Sequence, residues 1–430
     1  MHRNKKTGLI ALPAGTYDIL PDDQKYWRHV FKKTEALLDD YGFERIDTPV
    51  IEVKELFYRT AVQNPESVRT QLYDFKSRTG EDLAIRSDLA IPAVRAYLQH
   101  GMQTLSHPIK MMYMGFVLRD GTSGDRHSYK IGTQTIGDDS EVVDAELLFL
   151  ADKILKSMGA GPYVVHINTI GDGACRPQYV RALRDYYKPR LKKICADCKN
   201  NFKINPMMLL QCVQEECKQT ATEAPQIMDF LDEGCRTHFK RILEFMDLAQ
   251  MPYMINPFLI RTEEYASRTV FEFWPEETPV APGLGEAIVS GGRNDKLVDM
   301  LGGHKMPAVG LTMDVTRAVN LLKEKNISVP SAGTRPKVFL AHLGDVAKRK
   351  SLLLFEEIRK AGVEIRFSLS RDSIKSQIRI AGRLGVRFML IFGQKEAIEK
   401  TVILREMETG IQETIPLEKI IDELKKRLKK

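Results

Sequence analysis

Four of the six cysteines stand in two close pairs whose spacing could build a metal site. Cys195 and Cys198 form a C-x-x-C pair, and Cys212 and Cys217 form a wider pair after thirteen intervening residues. Four thiolates can hold one zinc ion in a tetrahedron, and they leave no open position for catalysis. The spacing therefore predicts a structural Zn2+ site. Because the second pair is wider, buried free thiols in a helical region are an equal alternative.

A surplus of positive charge is confined to the C-terminal part of the chain. Residues 336–430 contain 21 Lys and Arg against 13 Asp and Glu, whereas the preceding residues sum to −1 within the total charge of +7. A basic surplus in one terminal module indicates a polyanionic partner, and nucleic acid is the usual one. From charge alone, a solvated basic surface is as good an interpretation.

The apolar segments indicate a protein without a membrane segment. The apolar stretch at residues 8–13 is too short for a secretory signal. No apolar run approaches the roughly 20 residues that span a bilayer. We therefore expect a cytoplasmic protein whose cysteines stay reduced.

The predicted helices and strands, which must position these side chains, change in kind along the chain. The first part is predicted to contain helices at 22–41, 91–99 and 140–158 and strands at 43–46, 83–87, 109–119 and 129–136, with a polar loop at 120–125. Hairpins mixed with helices are typical of an antiparallel α+β domain. Residues 170–248 are helical, polar and cysteine-containing, and we expect them to be an insertion into that domain.

Strands and helices alternate in the last part of the chain. Strands are predicted at 338–343, 364–369, 388–392 and 401–406, and helices at 345–361, 373–384 and the C-terminus. This alternation predicts a small α/β domain with largely parallel strands. The predicted order is a larger domain at 1–169 and 249–325 with the insertion at 170–248, a Pro-, Ser- and Gly-rich linker at 326–335, and the α/β domain at 336–430.

A series of short motifs runs along the chain in a fixed order. Residues 115–119 read Gly-Phe-Val-Leu-Arg, and residues 290–295 read Ser-Gly-Gly-Arg-Asn-Asp. The further segments are 15–21, 43–49, 261–272 and 307–317, followed by 373–378 and 384–388. Taken together they resemble motifs 1, 2 and 3, the histidyl motif and the anticodon-binding domain of the histidyl-tRNA synthetase family, a class II aminoacyl-tRNA synthetase family. The resemblance covers nearly the whole chain.

The resemblance implies an enzyme that activates histidine with ATP and transfers it to tRNA-His. Its fold would be a class II antiparallel-sheet catalytic domain with a helical insertion, joined to a C-terminal α/β anticodon-binding domain, and motif 1 would build a homodimer. Arg119 corresponds to the family's arginine that contacts the ATP α-phosphate, and Arg317 to the one that contacts the γ-phosphate. Arg261 corresponds to a third arginine of the family's ATP site. The resemblance implies that Arg119 and Arg261 are catalytic. ATP would enter as its Mg2+ complex. Planar, permanently charged arginine suits a transition state between two anions.

The amino-acid pocket departs from the family pattern. Six residues correspond to it: Asp88, Ala90, Lys130, Gln134, Tyr265 and Ala266. Asp88 and Ala90 replace the family's Glu and Thr, and Ala266 replaces the second of two tyrosines. Lys130 and Gln134 stand where the family has Gln and Glu. A lysine would repel the α-ammonium group of histidine, and Gln134 carries no charge to orient an imidazolium.

These departures leave two functions open. The first is a histidine–tRNA ligase with a rearranged pocket. The second is a paralogue without aminoacylation activity, which binds tRNA or regulates ATP phosphoribosyltransferase in histidine biosynthesis. Such regulatory relatives generally lack the anticodon domain. The basic module at residues 336–430 therefore favours tRNA binding over metabolic regulation.

Overall fold

The structure, a computed structural model, describes residues 10–62, 65–120, 126–276, 287–330, 336–368 and 373–428. The chain forms two compact units, Met1–Val329 and Pro330–Lys430. Residues 121–125 of the predicted polar loop and 331–335 of the predicted linker lie outside the described residues. Within the described ranges, no helix is both long and apolar enough to cross a membrane.

The first unit is built on an eight-stranded sheet with the order β1-β5-β6-β11-β10-β9-β7-β8. Its pairs are antiparallel except β1 with β5 and β7 with β8. A small second sheet has the order β2-β4-β3. The strands are β1 Glu44–Arg45, β2 Ile51–Val53, β3 Asp74–Lys76, β4 Asp82–Ile85, β5 Ile109–Leu118, β6 His127–Ile136, β7 Tyr163–Thr169, β8 Tyr253–Ile255, β9 Ser267–Pro275, β10 Val289–Arg293 and β11 Ala308–Asp314.

Helices pack on both faces of this large sheet. They are α1 Gln24–Asp40, α2 Lys54–Tyr58, α3 Pro65–Arg69, α4 Ala90–Gln99, α5 Glu141–Met158, α6 Arg176–Tyr187, α7 Ala196–Ile204, α8 Glu215–Thr222, α9 Glu233–Leu248, α10 Leu297–Met300 and α11 Val315–Glu324. Apolar side chains of α1, α5, α9 and α11 form one continuous core with the sheet. Helices α2, α4 and α10 contribute to a smaller core that includes Met111, Ile136 and Ala308 of the sheet.

Strand alternation decides which side chains face the main core. Ile131 of β6 and Met313 of β11 point into the main core, so their neighbours Lys130 and Asp314 lie on the opposite face. On β9, Phe271 belongs to the same core, which places Glu272 on the opposite face as well. This face carries the candidate site.

The segment between β7 and β8 is helical throughout its described length. Its own core is formed by side chains such as Tyr179, Leu183 and Leu210 together with buried cysteines. Helix α9 differs because Phe239, Ile242 and Met246 pack into the main sheet core instead. Its C-terminal half therefore belongs physically to the large sheet, although the sequence prediction placed it in the insertion.

The second unit contains a five-stranded sheet with the order β13-β12-β14-β15-β16. Its elements are β12 Val338–Leu343, α12 Asp345–Lys360, β13 Ile365–Phe367, α13 Ile374–Leu384, β14 Phe388–Gly393, α14 Gln394–Glu399, β15 Thr401–Glu406, β16 Gln412–Pro416 and α15 Ile420–Leu428. Strands β13, β12 and β14 are parallel, but β14–β15 and β15–β16 are antiparallel. The predicted parallel character holds for only part of this sheet. The links around β15 are too short for a parallel crossover, which takes about a dozen residues or more.

These observations confirm the predicted fold class. The first unit is an α+β domain with a largely antiparallel sheet and a helical insertion, and the second is a mixed α/β domain.

Candidate active site

Lys130 lies among both positive and negative groups on the face of the large sheet opposite the main core. It is half-buried on β6, near Asp88, Arg119, Asp314 and Arg317. Burial and then the positive charge of Arg119 lower the pKa of Lys130 to about 8, with a smaller contribution from Arg317, while Asp314 and Asp88 act in the opposite direction. Asp314 is also the register partner of Lys130 across β6 and β11. Positive side chains that follow β5 and lie on β6 and α11 are thus close enough to interact electrostatically.

Arg119 follows the last residue of β5. Its Nε donates to the carbonyl oxygen of Ser87 at 3.2 Å, and its backbone N–H donates to the carbonyl oxygen of Arg126 at 2.9 Å. The hydrogen bond to Arg126 thus fixes the main chain of Arg119 at the end of β5, while the Arg119 side chain extends to the segment that leads into α4.

Arg317 lies in the first turn of α11, directly after β11. Asp314 caps this helix, since its Oδ1 accepts from the Arg317 backbone N–H at 3.1 Å. The Asp314 Oδ2 lies 3.9 Å from Nε of the same arginine. The Arg317 side chain is 36% exposed, so it keeps hydrogen-bond donors for a ligand.

Arg261 joins the cluster through Glu272 of β9. Its Nη2 lies 3.8 Å from Glu272 Oε1, and its Nη1 lies 4.0 Å from Glu263 Oε1. Burial raises the pKa of Glu272, while the charges of Arg261 and Arg317 act against that rise. Trp274 Nε1 also donates to Glu272 Oε2 at 2.9 Å. Glu272 therefore pairs with Arg261 and lies within electrostatic range of Arg317, a connection that no sequence motif had indicated.

The arrangement offers a polyanion several fixed cations on one face. Arg119 donates to the Ser87 carbonyl oxygen, Arg261 lies near two carboxylates and Arg317 lies near Asp314, the register partner of Lys130. Preorganised positive charge of this kind stabilises the negative charge that develops during phosphoryl chemistry. The structure brings the three predicted arginines to one face of the sheet.

Asp88 and Tyr265 lie at the edge of this cationic group. Asp88 Oδ1 accepts from the backbone N–H of Ala90 at 2.7 Å and of Ile91 at 3.1 Å, so it caps α4. Its other oxygen is left for a ligand. Burial raises the pKa of Tyr265 well above its usual range, and the nearby carboxylates of Glu263 and Asp88 add to the effect. The Tyr265 hydroxyl is therefore a neutral donor or acceptor at physiological pH.

Ala90 and Ala266 contribute little polar chemistry through their side chains. Ala90 begins α4, and Ala266 is buried, 4% exposed. The Ala266 carbonyl oxygen accepts from Arg176 Nη2 at 2.6 Å. This contact anchors the segment before β9 to the helical insertion.

Gln134 forms a reciprocal pair with Asn294. Gln134 Nε2 donates to Asn294 Oδ1 at 2.8 Å, and Asn294 Nδ2 donates to Gln134 Oε1 at 3.1 Å. Both side chains are buried, with 0% and 9% exposure. Gly310 makes room for this pair, because a Cβ there would lie 2.8 Å from Gln134 Oε1. Sequence reasoning identified Gln134 but missed its partner, which stands at the tyrosine position of the family's Gly-Gly-Arg-Tyr-Asp element.

Two other arginines of the motifs are structural. Arg86 is 5% exposed and donates from Nη1 to the Thr48 carbonyl oxygen at 2.8 Å and from Nε to that of Phe116 at 3.0 Å. Arg293 is fully buried, and its Nη2 lies 2.7 Å from Asp144 Oδ2 on α5. These arginines hold the motifs together beneath the site. Sequence reasoning could not assign this structural role, because the burial of Arg86 and Arg293 is not visible in a sequence.

The four cysteines of the predicted metal site lie together in the helical insertion. Their sulfur atoms are all within 4.8 Å of one another, and Cys195 Sγ lies 3.8 Å from Cys212 Sγ. The backbone N–H of Cys195 donates to Cys217 Sγ at 3.2 Å, and that of Cys198 donates to Cys195 Sγ at 3.4 Å. The cluster is remote in sequence from the cationic site and has no hydrogen bond to its residues among those described.

A regulatory relative shares the fold at a greater distance. An ATP phosphoribosyltransferase regulatory subunit/histidyl-tRNA synthetase from Bacillus halodurans has a TM-score of 0.62 at 17% identity, covering 90% of this chain and 99% of that chain. At that identity the likeness concerns the fold alone.

Other comparisons are closer. The profile of the family Histidyl-tRNA synthetase matches residues 15–318, and that of the Anticodon binding domain matches residues 337–427. A histidine–tRNA ligase of Dehalococcoides mccartyi is 37% identical over 423 residues, 98% of this chain and 100% of the relative. One of Caldanaerobacter subterraneus subsp. tengcongensis is 32% identical over 424 residues, again 98% and 100%. The crystal structure of apo histidyl-tRNA synthetase from S. aureus has a TM-score of 0.80 at 28% identity, covering 97% of this chain and 100% of that chain. The chain belongs to the histidyl-tRNA synthetase family.

Proposed function

We propose that this protein is a histidine–tRNA ligase that activates histidine with ATP and transfers it to tRNA-His. The observation that carries the proposal is the convergence of Arg119, Arg261 and Arg317 around Lys130 and Glu272. An oxygen of the histidine carboxylate attacks the α-phosphorus, a bond forms between them, and the bond to pyrophosphate breaks. ATP arrives as its Mg2+ complex, as a substrate.

The arginines divide the phosphate charge in this proposal. Arg119 contacts the α-phosphate and neutralises charge between the two approaching anions. Arg261, in the segment before β9, is the second catalytic residue. Arg317 contacts the γ-phosphate from the first turn of α11. Glu272 orients Arg261, because its carboxylate lies 3.8 Å from that guanidinium group, and Asp314 orients Arg317 from 3.9 Å. Fixed guanidinium groups need little reorganisation when charge moves, which lowers the barrier.

The amino-acid pocket takes histidine by different contacts from the family pattern. The free oxygen of Asp88 and the Tyr265 hydroxyl receive the α-ammonium group. Gln134 and Asn294 each keep hydrogen-bonding capacity beyond their mutual pair, because an amide has two donors and two acceptor sites. They therefore suit a neutral imidazole rather than an imidazolium.

The cysteine cluster holds a structural Zn2+ in this proposal. With zinc–sulfur bonds of about 2.3 Å, tetrahedral geometry separates the sulfur atoms by about 3.8 Å. The 3.8 Å between Cys195 and Cys212 Sγ fits that spacing. The N–H groups that donate to Cys195 and Cys217 Sγ would stabilise thiolates. Zinc would fix the small insertion core and take no part in the reaction.

The second unit binds tRNA in this proposal, and the protein acts in the cytoplasm as a homodimer. Its match to an anticodon-binding domain and the basic surplus of residues 336–430 support contact with the phosphate backbone. Val50, Ile51 and Val53 are each about half exposed, at 50%, 48% and 51%. An apolar edge of this kind, close to motif 1, supports a subunit interface.

Histidine-dependent exchange between ATP and pyrophosphate tests the proposal directly. We expect exchange by the wild type, and strong loss in Arg119→Ala with little change in thermal stability. Arg241→Ala is the matched control, since the Arg241 side chain is 57% exposed and pairs with Glu141 on α5. If well-folded wild-type protein binds tRNA but catalyses no exchange, the ligase proposal is wrong and the tRNA-binding paralogue remains.

A further inference from the structure

The two ends of the helical insertion carry the same short pattern of potential metal ligands. Asp172 and Cys175 are three residues apart at the entrance, just before α6. Asp232 and Cys235 are three residues apart at the start of α9. One carboxylate oxygen of each aspartate and the sulfur of each cysteine all lie within 4.8 Å of one another. Four ligand atoms from two separate segments thus meet at one point.

Each carboxylate uses one oxygen to hold its own backbone. Asp172 Oδ1 accepts from the Ala174 N–H at 2.9 Å and from the Cys175 N–H at 3.4 Å. Asp232 Oδ1 accepts from the Cys235 N–H at 2.8 Å. Each side chain is therefore oriented while its second oxygen has room for another partner. Asp172 Oδ2 lies 3.5 Å from Arg268 Nη2, an ion-pair distance that leaves lone pairs on the oxygen.

The two sulfur atoms are deeply buried. Cys175 is 2% exposed and Cys235 is 1% exposed. The backbone N–H of Asp232 donates to Cys175 Sγ at 3.3 Å. The four-cysteine cluster has the same kind of contact, where the Cys195 N–H donates to Cys217 Sγ at 3.2 Å. Burial, and then hydrogen bonds to Cys175 and Asp172, raise the pKa of Cys235 well above its usual range, so a bound metal ion must displace the thiol proton.

The surrounding charges permit a divalent cation. Arg176 and Arg268 are close enough for Asp172 and Cys235 to influence both guanidinium groups. With protonated thiols, the two carboxylates already balance these two arginines. A Zn2+ ion that displaces both thiol protons leaves that balance unchanged, because two positive charges replace two protons.

We propose that Asp172, Cys175, Asp232 and Cys235 form a second structural metal site that binds Zn2+. Zinc accepts cysteine sulfur and aspartate oxygen in tetrahedral sites, and the thiolates disfavour magnesium or calcium. The ion joins the two ends of the insertion, at the starts of α6 and α9.

The site also lies directly behind the start of β9. Arg268 donates its backbone N–H to the Gly171 carbonyl oxygen at 2.8 Å, and the Ile170 N–H donates to the Arg268 carbonyl oxygen at 2.8 Å. Arg176 holds the Ala266 carbonyl oxygen from the same side. Metal binding therefore stiffens the segment that carries Tyr265 and Ala266.

The zinc content of the full-length protein tests this site. It is measured by mass spectrometry of the metal after Zn2+ loading and gel filtration. We expect Cys175→Ser/Cys235→Ser to lose one zinc per chain relative to wild type, and Cys195→Ser/Cys198→Ser to retain that zinc. The second double variant is the matched control for cysteine loss within the same insertion. Unchanged zinc in a folded Cys175→Ser/Cys235→Ser variant overturns the proposal.

A measurement on the wild type covers the case in which that variant does not fold. Alkylation of Cys175 and Cys235 is followed by peptide mass spectrometry before and after chelation, with Zn2+ re-addition. Because the buried thiols react only when the structure opens locally, we expect chelation to speed the alkylation of both and Zn2+ to slow it again. Equal alkylation throughout, or a disulfide between the two, overturns the proposal. Neither readout involves aminoacylation, so the outcome is independent of the ligase proposal.

Discussion

The buried amide pair of Gln134 and Asn294 gives the sharpest test of the pocket. Gln134→Leu keeps the approximate volume but leaves the Asn294 amide buried and without its partner. The pair contains two hydrogen bonds, of 2.8 and 3.1 Å. A stranded buried polar group costs about 1–3 kcal/mol, so we expect Gln134→Leu to destabilise the first unit by about 2 kcal/mol. Asn294→Leu should do the same for the same reason.

The double variant decides whether the pair acts as a unit. Gln134→Leu/Asn294→Leu strands neither amide, so its loss should be close to that of one single variant. The coupling energy is then about 1–2 kcal/mol, well above the few tenths expected for independent sites. Urea unfolding followed by tryptophan fluorescence reports this unit alone, because both tryptophans, Trp27 and Trp274, lie in it. If the stability losses of the two single variants simply add in the double variant, the two residues are not coupled.

The histidine KM separates a structural pair from one that contacts the substrate. If Gln134 hydrogen-bonds the imidazole, its removal costs about 0.5–1.5 kcal/mol of binding. That raises the histidine KM in pyrophosphate exchange up to about tenfold, with the ATP KM unchanged. A histidine KM equal to that of wild type, together with the expected loss of stability, would show that the pair only supports the pocket.

The other predictions concern charge and capping. Asp88→Asn keeps an oxygen to cap α4 but removes the negative charge, so the histidine KM should rise with little change in stability. Asp88→Ala should also lose about 1 kcal/mol of stability, because it removes the cap of α4. If Asp88→Asn has the same histidine KM as wild type, the charge has no role in binding histidine. Lys130→Met should stabilise the unliganded protein at neutral pH. Because the folded-state pKa of Lys130 is lowered to about 8, its unfavourable charge is present below pH 8 and is lost as pH rises. The stability difference in urea should shrink above pH 8, and a constant difference would exclude this cause. Finally, tRNA binding should weaken steeply with salt, and the chain ending at Val329 should show a smaller salt slope in a filter-binding assay; equal slopes would exclude the second unit from the contact.

Local pattern was sufficient for the long elements. Apolar spacing and a final glycine predicted a helix at 22–41, and the structure has α1 at Gln24–Asp40. The hairpin of β5 and β6 also followed from two apolar runs around a polar loop. Two elements were missed: α14 has six residues, too few to show a helical period, and β16 buries only Ile415, so it shows no apolar alternation.

Side-chain partnerships were harder to predict because they join distant segments. Gln134 and Asn294 are 160 residues apart, and only the register of β6, β11 and β10 brings them together. The Asp-x-x-Cys segments at 172–175 and 232–235 also meet only after the insertion folds. By contrast, the pairs of the four-cysteine cluster lie close in sequence, so their spacing alone indicated a site.

The neighbours of Lys130 offer a way around the conflict between a lysine and a substrate ammonium group. Although burial and the charge of Arg119 lower its pKa to about 8, Lys130 is still mostly protonated at neutral pH, and it lies within electrostatic range of Arg119 and Arg317. Those same arginines are the groups proposed to contact the phosphates. A bound triphosphate would add negative charge beside Lys130 and favour its protonated form. We propose that Lys130 is a fourth cation for ATP and that Asp88 holds the ammonium group of histidine. In this proposal the two departures from the family pattern act on different substrates, Lys130 on the nucleotide and Gln134 on the amino acid.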